Sequence, residues 1–298
     1  MPQSLVATFV ADPTKTALSD AAIRRFTQAL PGFVSSRWLH RGVAADLFFE
    51  TSDLAAAREG LRALSQREAV DIVVQPVERR AKKLLVADMD STLIGQECID
   101  EVAAEAGVGA PVAAITERAM RGEIAFEPAL RERVALLAGM PESVIARVLA
   151  TRIILTPGAQ TLVRTMRARG AYVAIVSGGF TQFTGAIAVR LGADEHRANT
   201  LIVENGMLAG RVGEPILGRQ AKLSALRELT SKRELAHHET LAVGDGANDL
   251  AMLAAAGLGV AYRAKPAVAA AAHARVDHGD LTALLFAQGF SREEFVEG

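Results

Sequence analysis

The chain has 298 residues, of which half are hydrophobic and 22% are charged, and its 33 basic and 34 acidic side chains give a formal net charge of −1. At roughly 150 residues per domain, this length suits about two domains, and the composition argues against intrinsic disorder. The balanced charge also argues against a general affinity for nucleic acid or for an anionic membrane surface.

The N-terminal residues and the cysteine content bear on location. Residues 1–15 have no basic segment ahead of their short apolar run, and no run of about 18 uncharged apolar residues occurs anywhere in the chain. Cys98 is the only cysteine, so it cannot form an intrachain disulfide, which fits a reducing compartment. We therefore expect a soluble, cytoplasmic chain.

Residues 1–80 alternate strand and helix signals and are predicted to form a small domain. In chain order the segments are SLVATFVA (strand), LSDAAIRRFTQAL (helix), SRWLH and AADLFFE (strands), SDLAAAREGLRALSQ (helix) and VDIVVQPV (strand). This βαββαβ order is typical of a ferredoxin-like α+β domain.

A charged run, residues 78–83 (ERRAKK), interrupts the pattern after Pro76. We interpret it as a solvated linker between two domains. A basic patch for a nucleic acid or a protein partner is the alternative.

Residues 81–298 are predicted to form an α/β domain. The strand-like segments LLVAD, AYVAIVS and TLAVGD are apolar runs separated by helical stretches. Continuous apolar strands are typical of a sheet that is covered by helices on both faces. We therefore expect a doubly wound, Rossmann-like parallel sheet.

Two insertions interrupt this domain. Residues 98–156, which follow the first core strand, have helical periodicity and no convincing strand, and they are too long for an ordinary connection. We predict that they form a helical cap over the strand ends. Farther along, Asn205-Gly206 lies between two strand-like runs and predicts a β-hairpin.

Each of the three apolar strands ends in a polar turn that is capable of chemistry. Asp88 and Asp90 lie two residues apart, so in extended chain their carboxylates point the same way at about 6–7 Å and can address one cation. Ser177-Gly178-Gly179 offers a hydroxyl and backbone N–H groups that suit a phosphate. Residues 244–249 (GDGAND) add oxygen ligands of the kind that Mg²⁺ prefers. Ordinary polar or glycine-rich turns are the alternatives, but the carboxyl ends of parallel strands converge on one site.

The motifs DMDST, SGG and VGDGAND, with Lys222 between the second and the third, resemble those of the haloacid dehalogenase-like phosphohydrolases. Within that family, the phosphoserine phosphatases are the more similar group. The motifs occur in the family's order over residues 84–262, so the resemblance covers most of the second domain. It implies Mg²⁺-dependent hydrolysis of O-phosphoserine, a small-molecule substrate.

The resemblance also implies roles for individual residues. Asp88 is expected to be the nucleophile that forms an aspartyl-phosphate, and Asp90 the general acid and then the general base. Mg²⁺ is expected to bind the Asp88 carboxylate, the Asp90 carbonyl and Asp245, with Asp249 acting on the metal indirectly or through water.

The remaining implied roles concern the substrate. The groups expected to hold the phosphoryl oxygens are Ser177, Gly178, Lys222 and Asn248. Glu97, shortly after the nucleophile motif, is expected to bind the substrate ammonium and Arg133, in the cap, its carboxylate. Phe126 and Met120 are expected to line the cavity. The alternatives are a solvated Lys222, a helix-terminal Glu97, a surface Arg133 and core positions for the two apolar side chains.

The order of elements in residues 1–80 resembles that of ACT-like domains. This resemblance is topological only, and it leaves open a spacer, a homodimerisation or a serine-sensing role. Within the catalytic family, a phosphatase or phosphotransferase for another small phosphate ester is the main alternative function.

Overall fold

The structure is a computed structural model that describes residues 3–12, 14, 18–121 and 123–297, apart from the side chains of Ser65, Gln66 and Met120. The predicted cavity position of the Met120 side chain therefore lies outside the described residues. The strands are β1 (Gln3–Ala11), β2 (Phe33–His40), β3 (Ala44–Thr51), β4 (Val70–Pro76), β5 (Leu84–Ala87), β6 (Tyr172–Phe180), β7 (Glu195–Asn199), β8 (Leu201–Glu204), β9 (Met207–Val212), β10 (Thr240–Gly244), β11 (Leu258–Tyr262) and β12 (Ala274–Val276). The α-helices are α1 (Asp20–Ala29), α2 (Leu54–Glu68), α3 (Cys98–Glu105), α4 (Gly109–Met120), α5 (Phe126–Ala135), α6 (Ser143–Thr151), α7 (Ala159–Ala168), α8 (Thr181–Leu191), α9 (Arg219–Lys232), α10 (Leu250–Ala255), α11 (Pro266–Ala271) and α12 (Ala283–Ala287).

The first four strands form an antiparallel sheet in the order β2-β3-β1-β4, with α1 and α2 as the intervening helices. The predicted βαββαβ arrangement is confirmed. Alternate residues of β1 point to opposite faces of the sheet. Leu5, Ala7 and Phe9 pack in one apolar cluster with α1 and α2, and the ring of Phe9 stacks on that of Phe26 at 4.4 Å. The helices therefore cover one face of this sheet.

The opposite face of the sheet packs on the second half of the chain through a buried ionic contact. Arg80, which is 8% exposed, donates to both carboxylate oxygens of Asp46 at 2.8 and 2.9 Å and to the Thr8 hydroxyl at 2.8 Å. It also donates to the carbonyls of Phe286 and Ala287 at the end of α12. A buried guanidinium is tolerated because these acceptors replace the water that it has lost.

The interpretation of residues 78–83 as a solvated linker is therefore wrong for two of its cations. Arg80 is buried as described, and Lys82, also 8% exposed, donates through Nζ to the carbonyl of His238 at 2.8 Å. Burial, with the nearby charge of Arg80, lowers the pKa of Lys82 to about 8. Charge alone did not reveal this, because the partners lie far away in the sequence.

Asp71 makes a second connection between the two sheets. Its carboxylate accepts hydrogen bonds from the backbone N–H groups of Asp277, His278 and Gly279 at 2.7–3.2 Å. Asp71 belongs to β4 and the three donors follow β12. The buried Asp71 carboxylate thus accepts hydrogen bonds from the backbone of a turn in the second half of the chain.

The second sheet is parallel and has the order β12-β11-β10-β5-β6-β7. Leu85 and Ala87 of β5 belong to the apolar cluster that contains α7 and α12, whereas Leu84 and Val86 belong to the cluster with α9 and α10. Helices thus cover both faces, and the predicted doubly wound parallel sheet is confirmed.

The predicted helical cap is also confirmed, since α3 to α6 lie between β5 and β6. The two segments that connect the cap to the sheet are bound to each other. Ile94 and Leu155 form an antiparallel bridge, and the Gly95 N–H donates to the Ile154 carbonyl at 3.1 Å.

The predicted hairpin is formed by β8 and β9, and it contacts the cap. Asn205 and Gly206 adopt left-handed φ values of 52° and 75°, as a tight hairpin turn requires. Three backbone hydrogen bonds join the hairpin to the cap segment after α5: Gly139 N–H to Leu208 O at 2.9 Å, Leu208 N–H to Met140 O at 2.7 Å, and Glu142 N–H to Gly206 O at 2.9 Å. Among the described residues, no helix is long and apolar enough to cross a bilayer.

The buried Arg80 contact leads to a stability prediction. Arg80→Ala leaves the Asp46 carboxylate buried with only the half-exposed Arg37 as a cation, at 3.1 Å. We expect the free energy of unfolding to fall by about 3 kcal/mol, measured by urea denaturation. Arg79→Ala, an exposed neighbour, is the matched control with an expected change of about 0.5 kcal/mol or less. Equal losses in the two variants would contradict a stabilising role for this contact.

Candidate active site

The three polar turns meet at one edge of the parallel sheet. Strands β10, β5 and β6 are neighbours, so their carboxyl ends lie side by side beneath the cap. A cavity of about 510 Å³ opens between these ends and the cap. The predicted site residues that line it are Asp88, Asp90, Glu97, Phe126, Arg133, Ser177, Gly178, Asp245 and Asn248. Two further predicted residues, Lys222 and Asp249, are buried in contact with this set.

The position of Asp88 is fixed by its backbone and by its side chain. Its N–H donates to the Val243 carbonyl at 3.0 Å and so continues the pairing of β5 with β10. The carboxylate accepts the Met89 N–H at 2.8 Å, and its other oxygen lies 2.7 Å from Lys222 Nζ. A tight turn over Met89–Leu93 follows, with Ser91 in the left-handed region at φ 55°. The sharp turn leaves the carboxylate at the end of the strand, facing the cavity.

Lys222 lies between two carboxylates. Its ammonium is 2.7 Å from both Asp88 and Asp249, and the residue is 2% exposed, so the alternative of a solvated lysine on α9 is wrong. Burial lowers the pKa of Lys222, but the two carboxylates outweigh it and hold the pKa above the ordinary value. Burial and the charge of Asp249 raise the pKa of Asp88 well above its usual range, and Lys222 opposes them. The ammonium therefore stays charged and partly offsets the crowded carboxylates.

Three carboxylates form a group that can hold a metal ion. Asp88, Asp245 and Asp249 each offer one oxygen, and these atoms all lie within 4.8 Å of one another. The Thr92 hydroxyl orients Asp245, and the Gly246 N–H donates to Asp249 at 3.0 Å. Hard oxygen donors in a partly buried site fit Mg²⁺, which binds a few carboxylates together with water and phosphate.

Asp249, for which an indirect role is predicted, has its carboxylate in the same group as those of Asp88 and Asp245. A close approach allows this, because a Cβ on Gly244 would lie 2.3 Å from the Asp249 Cγ. Only glycine at that position leaves room for the acid. The ligand roles of Asp245 and of the Asp90 carbonyl remain predictions.

Asp90 is held by donors on both sides. One carboxylate oxygen accepts the Cys98 N–H at 2.9 Å and the other accepts the Ser177 hydroxyl at 3.1 Å. Burial raises the pKa of Asp90, although these hydrogen bonds act in the opposite direction. A carboxyl group with a raised pKa suits a general acid. Burial also raises the pKa of the Cys98 thiol, which argues against a thiolate nucleophile.

Glu97, just before the cap, and Arg133, within it, line the same cavity. Glu97 immediately precedes α3 but makes no capping hydrogen bond, and it accepts the Ser91 hydroxyl at 2.7 Å instead. Partial burial and the charge of Asp90 raise its pKa to about 7. Arg133 is half-buried, and its guanidinium donates to the Thr116 hydroxyl at 3.4 Å. By contrast, Arg131 pairs with Glu214 outside the cavity, so of these two arginines it is Arg133 that lines the cavity.

Phe126 is the first residue of α5 and lies over two glycines. Its ring is 3.4 Å from the position that a Cβ would take on Gly178 and 3.6 Å from that on Gly218. It is 38% exposed and lines the cavity, so the alternative of a core phenylalanine is wrong. The ring therefore brings the cap into contact with the two segments that precede α8 and α9.

Sequence reasoning missed several residues of the cavity. Lys265, Thr116 and Ile124 also line it. Lys265 follows β11, a strand that was not predicted, so no strand-end signal pointed to it. Thr116 and Ile124 lie in the cap, where helical periodicity shows which residues share a face but not which face meets the sheet.

Comparisons with known proteins find related sequences and folds. A model of the haloacid dehalogenase-like hydrolase family matches residues 85–254. A phosphoserine phosphatase of Streptomyces coelicolor is 48% identical over 225 residues, which cover 76% of this chain and 55% of that protein. One from Archaeoglobus fulgidus is 45% identical over 234 residues, covering 78% of this chain and 68% of that protein. The chain thus matches little more than half of the Streptomyces relative.

Two solved structures cover nearly the whole chain. A HAD family hydrolase from Salmonella enterica serovar Typhi has a TM-score of 0.87 and 30% identity, covering 95% of this chain and 97% of that one. A probable phosphoserine phosphatase from Vibrio cholerae has a TM-score of 0.78 and 35% identity, covering 96% and 86%. Both similarities include residues 1–80 as well as the parallel sheet.

The carboxylate group leads to a metal-binding prediction. Asp245→Asn removes one negative charge from the group, and we expect the affinity for Mg²⁺ to fall at least about 10-fold, measured by isothermal titration calorimetry of the protein with the metal alone. Asp53→Asn, an exposed acid at the start of α2, is the control and is expected to bind as the unaltered chain does. Unchanged Mg²⁺ binding by Asp245→Asn would show that this carboxylate holds no metal.

Proposed function

Because the chain belongs to the haloacid dehalogenase-like hydrolase family, we propose that it is a Mg²⁺-dependent phosphatase that hydrolyses O-phospho-L-serine to L-serine and inorganic phosphate. In the cell this reaction is the last step of serine synthesis. One observation carries the proposal. The acidic turns of β5 and β10 meet around Lys222, and the cavity above them is also lined by Glu97 and Arg133.

The first half-reaction forms a covalent intermediate on Asp88. An Asp88 carboxylate oxygen attacks phosphorus, the bond from phosphorus to the seryl oxygen breaks, and Asp90 gives its proton to that oxygen. The raised pKa of Asp90 favours the protonated acid that this step needs. Serine then leaves, and Asp88 carries the phosphoryl group.

The second half-reaction restores the enzyme. Asp90, now ionised, takes a proton from a water molecule that attacks phosphorus, and the bond from phosphorus to the Asp88 oxygen breaks. Inorganic phosphate leaves. Phosphoryl transfer of this kind depends on positioning and on the neutralisation of charge more than on the strength of the nucleophile.

Neutralisation comes from several groups of this chain. Lys222 places a buried positive charge beside Asp88 and reduces its repulsion of the anionic substrate. Ser177, the Gly178 N–H and Asn248 are proposed to hold the phosphoryl oxygens, since all three residues line the cavity. Mg²⁺ bound by the three carboxylates would stabilise negative charge on those oxygens.

Substrate selection is proposed to rest on Glu97 and Arg133. Phosphoserine has an ammonium and a carboxylate beyond its phosphate, so a selective site needs an acid for the first and a fork-shaped cation for the second. Both side chains line the same cavity. An approaching ammonium lowers the pKa of Glu97 from about 7 and so favours the charged form that binds it.

The role of residues 1–80 is a separate proposal. We propose that they form an ACT-like domain that acts as a spacer or a dimerisation element. In the described part, one sheet face is covered by α1 and α2, and residues of the other face contact the catalytic half through Arg80 and Asp71. Calorimetry with serine distinguishes this role from amino-acid sensing, because heat of binding from a Glu97→Gln, Arg133→Gln variant would favour sensing.

The nucleophile assignment gives the first functional prediction. Asp88→Asn replaces the attacking oxygen by an amide, and we expect kcat for phosphoserine to fall about 10³-fold or more, measured as phosphate release with Mg²⁺. EDTA is expected to abolish release by the unaltered enzyme. Asp53→Asn controls for the loss of a charge. A near-native rate in Asp88→Asn would overturn this mechanism.

The substrate assignment gives the second prediction. Arg133→Gln removes the partner of the substrate carboxylate, so we expect kcat/KM for phosphoserine to fall about 10-fold to 100-fold. The value for O-phosphoethanolamine, which lacks the carboxylate, should stay nearly constant. Arg131→Gln, whose guanidinium pairs with Glu214, is the matched control.

Two outcomes would contradict the substrate assignment. One is an equal loss for both substrates in Arg133→Gln. The other is a substrate without an amino group, such as phosphoglycolate or a sugar phosphate, that exceeds phosphoserine in kcat/KM.

A further inference from the structure

Asn199, the last residue of β7, is a buried side chain to which no role has been given above. It is 2% exposed and makes three hydrogen bonds, all of them to backbone groups. Its amide nitrogen donates to the Gly178 carbonyl at 2.8 Å and to the Leu217 carbonyl at 3.2 Å, and its oxygen accepts the Leu217 N–H at 2.7 Å. Two chain segments far apart in sequence therefore meet at one amide group.

The first of these segments leaves the sheet at the point where Asn199 binds it. Pairing of β6 with β7 is regular up to Val176, then shifts register and resumes at Phe180, which pairs with Asn199 itself. The intervening residues, 177–179, are the phosphate-binding turn proposed above. The Gly178 carbonyl lies where the pairing of β6 with β7 is interrupted, and the Asn199 side chain is its hydrogen-bond donor.

The hydrogen bond to the Gly178 carbonyl also fixes the direction of the Gly179 N–H. The peptide unit is planar, so the Gly178 carbonyl and the Gly179 N–H point in opposite directions. The Gly179 N–H donates to the Ser177 hydroxyl oxygen at 2.9 Å, and that hydroxyl donates to Asp90 at 3.1 Å. A continuous chain of contacts therefore leads from the Asn199 amide to the carboxyl group of the proposed general acid.

The second segment leads to Lys222. Leu217 immediately precedes Gly218, where α9 begins, and α9 carries Lys222 on its first turn. Asn199 is hydrogen-bonded to both the N–H and the carbonyl of Leu217. These two bonds fix the backbone just before α9. The same side chain thus fixes the backbone that follows Ser177 and the backbone that precedes Lys222.

From these contacts we infer that Asn199 is a positioning residue for the reaction, acting through Ser177, with its two bonds to Leu217 holding the amide in place. Only a side chain that offers donors and an acceptor together can make the three bonds. Aspartate has nearly the same shape but offers acceptors alone at neutral pH, so it loses both donated bonds and sets a negative charge against two carbonyl oxygens. The inference rests on the proposed phosphatase function and adds a residue to its machinery.

Asn199→Asp is the direct test. We expect kcat for phosphoserine to fall about 100-fold, because misplacement of catalytic groups by about 1 Å costs this much. KM should change by no more than about threefold, since Glu97, just before α3, and Arg133, in α5, are proposed to contact a different part of the substrate. Asn205→Asp, the same substitution in the exposed turn of the neighbouring hairpin, is the matched control and should leave kcat unchanged.

A double-mutant cycle separates positioning from a general structural effect. If Asn199 acts through the Ser177 hydroxyl, Asn199→Asp costs less than about 5-fold in kcat once Ser177→Ala has removed that hydroxyl. Losses that simply multiply would overturn the inference. So would a kcat for Asn199→Asp within about twofold of the Asn205→Asp value.

The cycle remains decisive in two other situations. If Asn199→Asp does not fold, as judged by circular dichroism and thermal unfolding, Asn199→Ser takes its place, because a hydroxyl retains one of the bonds. If the unaltered enzyme does not hydrolyse phosphoserine, the proposed function fails, and the cycle is measured with 4-nitrophenyl phosphate, which uses neither Glu97 nor Arg133. Multiplying losses with that substrate would then overturn the role of Asn199 independently.

Discussion

The structure depends on one electrostatic constraint, which is the crowding of carboxylates at the carboxyl ends of β5 and β10. Asp88, Asp245 and Asp249 lie close together in a largely buried site, where like charges repel strongly. Lys222 offsets part of this charge by contacting two of the three acids at 2.7 Å. The sheet order brings the acids together, and α9 brings the cation to them. The remaining charge favours a divalent ion and, with it, a phosphate.

Much of the fold was predictable because its signals are local. The apolar runs of β5, β6 and β10, each followed by a polar turn, predicted the centre of the parallel sheet. Three further strands were missed for physical reasons. Strand β7 has the polar sequence EHRAN at the edge of the sheet, β12 has three residues, and β11 is a short apolar run next to an equally apolar helix. A short segment gains its strand conformation from its neighbours more than from its own residues.

The candidate site also has a part that the sequence predicts and a part that it does not. Residue types and spacing identified Asp88, Asp90 and Asp245, because the chemistry requires those groups in one turn or at one strand end. The contacts that those groups make with distant residues could not be predicted from the sequence. The contact of Lys222 with Asp249 and the contact of Arg80 with Asp46 join residues that are distant in sequence, and only the folded chain brings them together. Local patterns therefore predicted which groups would line the cavity, and the tertiary contacts show what holds them.

The hairpin of β8 and β9 has a mechanical consequence. It continues directly from Asn199 at the end of β7, and its far end is hydrogen-bonded to the cap between α5 and α6. One continuous backbone path therefore joins the cap to Asn199, and the Asn199 side chain joins that path to the turn at Gly178. Any movement of the cap that kept these hydrogen bonds would also move the hairpin and, through it, the end of β7.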